Sequence, residues 1–226
     1  MNKDRYIPSR EKQNTVCFTG HRYLSAGEIP EIRRRLRKAV DECYRTGYRW
    51  FICGGALGFD TLAAREVLDY RDSHPDIGLF LAVPCADQSS RWTAEDRKIY
   101  SGILSQADEV NVLSSRYFEG CMHLRNQFMV QHASLCICYL RRFSGGTGYT
   151  VRYALTSGRE VINLCLPEQP DSIRVKEPTW KSIFTFPSVS ENVLTARLIH
   201  SRTAAGRKWN STSLRFSGKS RSSGNS

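Results

Sequence analysis

The stretch that decides the fold is residues 50–60, WFICGGALGFD. An apolar, strand-like run ends there in a glycine cluster, and a segment with helical spacing follows. The same order recurs after the apolar runs at residues 15–19 and 134–140. Glycine at the carboxyl end of a strand lets backbone N–H groups approach an anion, and the following helix directs its positive end to the same place. The three turns together predict a pocket of nucleotide size that binds an anion.

Apolar, β-rich runs recur along the chain, and most stretches between them are long enough for a helix. This alternation predicts a Rossmann-like, doubly wound α/β fold, a three-layer sandwich around a mostly parallel sheet of about six strands. The runs LFLAV, LCICYL and VINLCL are continuously apolar, which indicates strands covered on both faces. The predicted strands are residues 15–19, 49–53, 77–83, 109–113, 134–140 and 160–166.

The first helix is predicted from apolar residues spaced by three or four between Ile29 and Cys43. The basic residues within 33–38 are expected to form a solvated face. Ser25 and Glu28 resemble a capping box, while Pro30 is the alternative marker of the first turn. Further helices are predicted from the second glycine loop to about residue 74, late in residues 86–108, and over residues 118–132 and 147–157.

Four regions are predicted along the chain. Residues 1–12 are expected to be a flexible arm, residues 13–167 the Rossmann-like domain, and residues 168–199 an irregular segment packed on it. Residues 200–226 are expected to be a disordered basic tail, because they cannot bury enough apolar area to offset their ordering entropy. The net charge is +11, and residues 192–226 hold seven basic and no acidic residues, which leaves +4 elsewhere. The tail is therefore a candidate contact for nucleic acid or an acidic partner.

The chain is expected to be cytoplasmic and not to contact a membrane. Its start is polar, and no apolar run approaches the roughly 18 residues that span a bilayer. Most of the eight cysteines lie in apolar runs, which indicates core packing in a reducing compartment. Neither a CxxC pair nor histidines at zinc-ligand spacing accompany them, so we predict no metal site and no resident cofactor.

The loop GGALGFD is the first candidate ligand site. Gly54 and Gly55 permit a close turn and Gly58 close packing of the next helix, which is the context of a phosphate-binding loop. Asp60 is expected either to cap that helix or to reach a ribose hydroxyl. The alternative is an ordinary tight turn with Asp60 as a plain N-cap.

The other two glycine turns add cations and hydroxyls. Beyond Gly20, Arg22 is a candidate for bidentate phosphate binding, and His21 for a hydrogen-bond donor or a structural group. A surface arginine is the alternative for Arg22. The loop GGTGYT offers the amides of Gly145 and Gly146 with the hydroxyls of two threonines, Thr147 and Thr150. Its strand is expected about two strands from the first, which separates the loops by roughly 10 Å.

Three further side chains are candidates for the pocket. Trp92 follows the third strand and is placed to stack on a base. Arg125 and Asn126 lie on the helix after the fourth strand and are expected to reach the ligand. Core or surface positions are the alternatives for all three.

The ordered set of motifs CFTGHR, GGALGFD, AVPCADQSSRW, ADEV, YFEGCMHLRNQFMV and SGGTGYTVRYA resembles the YpsA-like branch of the SLOG superfamily. The likeness covers residues 15–165. This superfamily also includes the DNA-processing Smf proteins and the "lonely guy" phosphoribohydrolases. The resemblance implies a Rossmann-like domain that binds nucleotides or nucleotide-derived ligands at the loops named above.

Two departures from the superfamily pattern bear on catalysis. Its phosphoribohydrolases have a catalytic glutamate downstream of their PGGxGT loop, whereas residues 149–152 here read YTVR. Related sequences have an aspartate before the GGT loop, where residues 140–143 here read LRRF. Glycosidic hydrolysis thus lacks its obvious general acid and base, while two arginines favour anion binding.

Three functions follow as hypotheses. The leading one is the binding of a nucleotide-derived signal, with little or no catalysis. The second is an N-glycosidic hydrolase in which Asp60 or Asp87 replaces the missing glutamate. The third is a single-stranded nucleic-acid-binding module that uses the basic tail. The oligomeric state is open, and a homodimer is one alternative.

Overall fold

The computed structural model describes residues 6–165, which form one parallel sheet with helices on both faces. The sequence expectations for residues 168–199 and 200–226 fall outside this range. The strands are β1 (Thr15–Gly20), β2 (Trp50–Cys53), β3 (Gly78–Val83), β4 (Glu109–Val112), β5 (Leu135–Tyr139) and β6 (Glu160–Asn163). The helices are α1 (Ile29–Arg45), α2 (Phe59–Arg71), α3 (Ala94–Gln106), α4 (Cys121–Gln131) and α5 (Gly145–Thr156). The predicted Rossmann-like α/β class is confirmed.

The strand order is β4-β3-β2-β1-β5-β6, and every pair is parallel. The chain builds outward from β1 to β4 and then returns to the other side of β1. The expectation that the strand of the third glycine turn lies about two strands from the first is wrong, because β5 pairs directly with β1, with Cys17 opposite Cys136. Their loops are thus about one strand spacing, roughly 4.8 Å, apart. This reversal of direction is the topological switch point, where open α/β sheets bind ligands.

The core has two layers, one on each face of the sheet. On one face, Leu36 of α1 and Val67 of α2 pack against the sheet, while Met129 of α4 and Ala154 of α5 pack on the other. β1, β2, β3 and β5 are buried almost throughout, which confirms the expectation made from LFLAV in β3 and LCICYL in β5. β6 is only half-buried, so the expectation of cover on both faces is wrong there, because β6 lies at the edge of the sheet.

Helix α1 begins later than a capping box would place it. Glu28 is the N-cap residue, makes no side-chain cap hydrogen bond, and is followed by Pro30 in the first turn. The Ser25 carbonyl accepts from the Glu28 amide at 3.0 Å, so Ser25 belongs to a preceding turn. The capping-box interpretation is therefore wrong, and the Pro30 alternative is the observed start.

The basic face of α1 is not simply solvated. Arg33 and Arg37 both pair with the carboxylate of Glu66 on α2, whose side chain is only 3% exposed. A buried carboxylate requires such partners, because desolvation without pairing is costly. These arginines line a groove between α1 and α2 and join the two helices.

The described part of the N-terminal segment contacts the sheet. The Pro8 carbonyl accepts from Trp50 Nε1 at 2.7 Å. Arg10 pairs with Glu109 at 3.0 Å and lies 4.4 Å from the centre of the Phe80 ring. Within residues 6–165 we find no helix long and apolar enough to cross a membrane.

Candidate functional site

The three glycine turns follow neighbouring strands, in the order β2, β1, β5. The turns after β2 and β1 are locked together. Gly58 has φ +80, and a Cβ there would lie 2.2 Å from the Arg22 carbonyl oxygen. A Cβ on Gly20 would lie 2.4 Å from Phe59, whose amide donates to the His21 carbonyl. Packing within the protein thus accounts for Gly20 and Gly58 as glycines.

The turn after β2 encloses a buried polar cluster. Arg125 Nη1 donates to the Gly54 carbonyl, and Arg125 Nε donates to Asn126 Oδ1 at 2.8 Å. Asp60 Oδ2 accepts from the Ala56 amide at 3.4 Å. Asp60 and Arg125 are only 6% and 5% exposed. The cluster holds the loop, and the N-cap of α2 is Gly58, so Asp60 is not a plain N-cap.

The electrostatics of this cluster follow from burial. Desolvation raises the pKa of Asp60, while Arg125 and loop amides oppose the rise. Desolvation likewise lowers the pKa of Arg125, and Asp60 opposes that fall. Each charge therefore stabilises the other inside the domain. Asp60, a candidate replacement for the missing catalytic glutamate, lies in this buried pair, whereas Asp87 is exposed.

His21 joins the β1 turn to the β5 turn. Its Nε2 accepts from the Arg141 amide at 3.0 Å, which assigns the ring proton to Nδ1. Burial, followed by the charges of Arg141 and Arg142, lowers the pKa of His21. The ring is therefore neutral at pH 7, and Nδ1–H is the donor left for a ligand.

An ion pair that sequence reasoning missed lies beside this contact. The guanidinium of Arg141 pairs with Glu28, whose Oε1 also accepts from Tyr139 Oη at 3.2 Å. Both charged side chains are about two-fifths exposed, at 39% and 42%. The arginine pair before GGT signalled a cation here, but Glu28 appeared only as a candidate helix cap.

The start of α5 is the open part of the site. Gly145 and Gly146 are exposed, and a Cβ on either would have no protein atom within 4 Å. Thr147 and Thr150 are buried, and Thr150 Oγ1 donates back to the Gly146 carbonyl at 2.8 Å. The space beside Gly145 and Gly146 is thus open, whereas the Thr150 hydroxyl already donates a hydrogen bond within the loop.

The loop between β3 and α3 covers the β2 turn. Gln88 Nε2 donates to the Gly55 carbonyl at 3.0 Å, while Gln88 Oε1 is buried without a hydrogen-bond partner among the described residues. Trp92 packs edge-on against Tyr100 at 5.2 Å, and a Cβ on Gly55 would lie 3.0 Å from Tyr100. Trp92 therefore lies near the β2 end of the site.

The predicted site residues differ in exposure, and Gly20, His21, Gly58 and Trp92 are intermediate. Asp60, Arg125, Asn126 and the two threonines are buried and support the loops. The exposed predicted residues are Arg22, Gly145 and Gly146, in the turns after β1 and β5. The turn after β5 also holds the exposed Arg141 and Arg142. Exposed guanidinium groups and free amides at a helix start are suited to phosphate oxygens. Residues 6–165 contain no group of three or more His, Cys, Asp or Glu side chains that would hold a metal ion.

Comparison with known proteins identifies the family of the chain. The model of the YspA SLOG family matches residues 19–160. A UPF0398 protein of Bacillus thuringiensis is 31% identical over 153 residues, which cover 63% of this chain and 83% of the relative. A UPF0398 protein of Halalkalibacterium halodurans is 31% identical over 129 residues, covering 56% of this chain and 68% of the relative.

Two solved structures share the fold at low identity. DNA processing protein A (DprA) from Streptococcus pneumoniae superposes with a TM-score of 0.51 at 16% identity, over 70% of this chain and 52% of the other. This chain thus spans about half the length of the pneumococcal protein. DNA processing protein A from Helicobacter pylori, described for its single-stranded DNA binding mode, gives 0.50 at 17%, over 71% and 68%.

Proposed function

The chain belongs to the YspA SLOG family, and we propose that it binds a nucleotide or nucleotide-derived small molecule in the crevice between β1 and β5 and acts as a sensor of that ligand. The observation that carries the proposal is the open Gly145–Gly146 start of α5 beside Arg22, Arg141 and Arg142. Protein packing does not occupy this space. The amides and arginines are the groups that recognise a phosphate.

The remaining groups suit the rest of a nucleotide. His21 and Glu28 both contact Arg141, and Nδ1–H of His21 and the half-exposed Glu28 carboxylate are suited to ribose hydroxyls. A charge-assisted hydrogen bond contributes about 1.5–3 kcal/mol. Three or four of them support micromolar affinity after the cost of association.

The test is calorimetry with a panel of AMP, ADP-ribose and cyclic dinucleotides. Gly146→Glu places a carboxylate in the open space at the start of α5 and is expected to abolish binding while the protein stays folded. Gly102→Glu is the matched control, because Gly102 on α3 also has no atom within 4 Å of an added Cβ. The proposal is wrong if no panel member binds at millimolar concentration, or if both variants bind like the parent.

A further inference from the structure

The loops at the carboxyl end of the sheet share a second pattern. Four of them contain an arginine followed directly by an aromatic residue. The pairs are Arg22–Tyr23 after β1, Arg91–Trp92 after β3, Arg116–Tyr117 after β4 and Arg142–Phe143 after β5. Because all strands are parallel, all four pairs lie at one edge of the sheet.

The aromatic members differ in how much they are covered. Tyr23 is 91% exposed and Tyr117 is 62% exposed, and Phe118 beside it is 44% exposed. Apart from Tyr6, no other aromatic side chain of residues 6–165 is classed as exposed. Exposed aromatic rings are the side chains on which the bases of single strands stack.

The arginines of these pairs are available for a polyanion. All four are exposed, and the part of the chain that the structure describes offers none of them an ion-pair partner. The loops at this end hold five arginines against three acidic residues, whereas the helix-to-strand loops at the other end hold two basic and three acidic residues. Positive charge is thus concentrated where the exposed aromatic rings are.

The pairs extend well beyond a mononucleotide pocket. From β4 to β5 the order β4-β3-β2-β1-β5 covers four strand spacings, about 19 Å at roughly 4.8 Å each. A ligand that contacts all of them must be extended, must present several negative charges, and must offer flat rings.

We infer that the carboxyl-end edge of the sheet binds a single strand of nucleic acid, with bases stacked on Tyr23 and Tyr117 and phosphates held by the adjoining arginines. Unpaired bases have free faces for aromatic side chains, and the backbone follows the cations. Duplex bases are stacked on one another and offer no such face. This surface shares Arg22 and Arg142 with the proposed nucleotide pocket and extends beyond it to Arg91 and Arg116.

The experiment is fluorescence anisotropy of the full chain with labelled dT15, rU15 and a 15-base-pair duplex. Tyr23→Ala and Tyr117→Ala are each expected to weaken single-strand binding roughly 5- to 150-fold, as removal of a stacked base contact does. Tyr23→Phe and Tyr117→Phe keep the ring and are expected to bind within about twofold of the parent chain. Tyr6→Ala is the matched control, since Tyr6 is 79% exposed but precedes β1.

Each outcome decides the inference. It is overturned if the single strands do not bind, if the duplex binds as well as they do, or if the alanine variants match Tyr6→Ala. Preferential binding of dT15 or rU15 over the duplex supports the inference. Titrations of the parent chain with the nucleotide panel keep the two proposals distinct. Nucleotide binding without single-strand binding removes only this inference, and single-strand binding without nucleotide binding removes only the proposed nucleotide site.

Discussion

At the carboxyl end of β2, the missing side chain of Gly54 makes room for the guanidinium of Arg125. A Cβ at position 54 would lie 1.9 Å from Arg125 Nη1 and 2.8 Å from Asp60 Oδ2. Gly54→Ala must therefore displace a buried, hydrogen-bonded charge. We expect a loss of about 2 kcal/mol in the free energy of unfolding, in the range of other overpacked cores.

Urea unfolding measures this loss. The matched control is Gly102→Ala on α3, where an added Cβ has no neighbour within 4 Å and alanine is the better helix former. That variant is expected to be as stable as the parent chain or more stable. Equal stability of the two variants would show that Arg125 has room to move.

His21 makes the stability of the fold depend on pH. Burial and the neighbouring arginines lower its pKa in the folded chain below the ordinary value of about 6.5. The unfolded chain then binds the proton more readily, so stability falls as pH drops below about 6.5 and continues to fall until the folded pKa is passed. Protonation of Nε2 also removes its contact with the Arg141 amide.

The variant that isolates this effect is His21→Gln, which keeps an acceptor and does not titrate. We expect the difference in unfolding free energy between parent and variant to be constant above pH 7 and to move against the parent between pH 6.5 and 5. Chemical denaturation at half-unit steps measures it. A difference that stays flat over this range would refute the assignment of His21 as a neutral acceptor.

Among the elements, the position of each strand follows from the sequence more readily than which strands pair with one another. A strand covered on both faces must be apolar throughout, so the runs at residues 15–19 and 134–140 are recognisable alone. Their direct pairing is not, because it depends on which side of β1 the chain returns to. The Arg125–Gly54 contact joins positions 71 apart and has no local signal. Local patterns therefore locate the glycine loops, while the pairings that assemble the site are tertiary.

At the contact between α1 and α2, removing the carboxylate and removing the arginines are expected to lower stability by different amounts. Arg33 and Arg37 are 47% and 52% exposed, so after Glu66→Gln both return to water, and we expect a loss of about 1 kcal/mol. Replacing both arginines by methionine instead leaves the 3%-exposed Glu66 carboxylate without either partner, and we expect about 3 kcal/mol. Urea unfolding of both variants checks the order, with exposed Arg65→Met on α2 as the control. The reverse order would mean that the buried carboxylate is stabilised by other groups.

On the scale of the whole molecule, positive charge is concentrated in two regions. The salt dependence of single-strand affinity distinguishes their contributions to binding. Residues 192–226 hold seven basic residues, and the carboxyl-end edge holds the four arginines of the Arg–aromatic pairs. Each phosphate contact with a single strand contributes about −0.7 to the slope of log affinity against log salt. Engagement of both locations gives a slope near −8, and engagement of the edge alone gives about −3.

The decisive variant is the full chain with its seven C-terminal basic residues changed to glutamine. We expect the slope for dT15 to fall from about −8 to about −3, with the remaining affinity still sensitive to Tyr117→Ala. Anisotropy titrations between low and moderate salt measure both quantities. A slope that vanishes on neutralising the tail would place all single-strand binding there, since stacked aromatic rings alone release no counterions. A slope that is unchanged would instead remove the tail from binding and leave the edge as the whole interface.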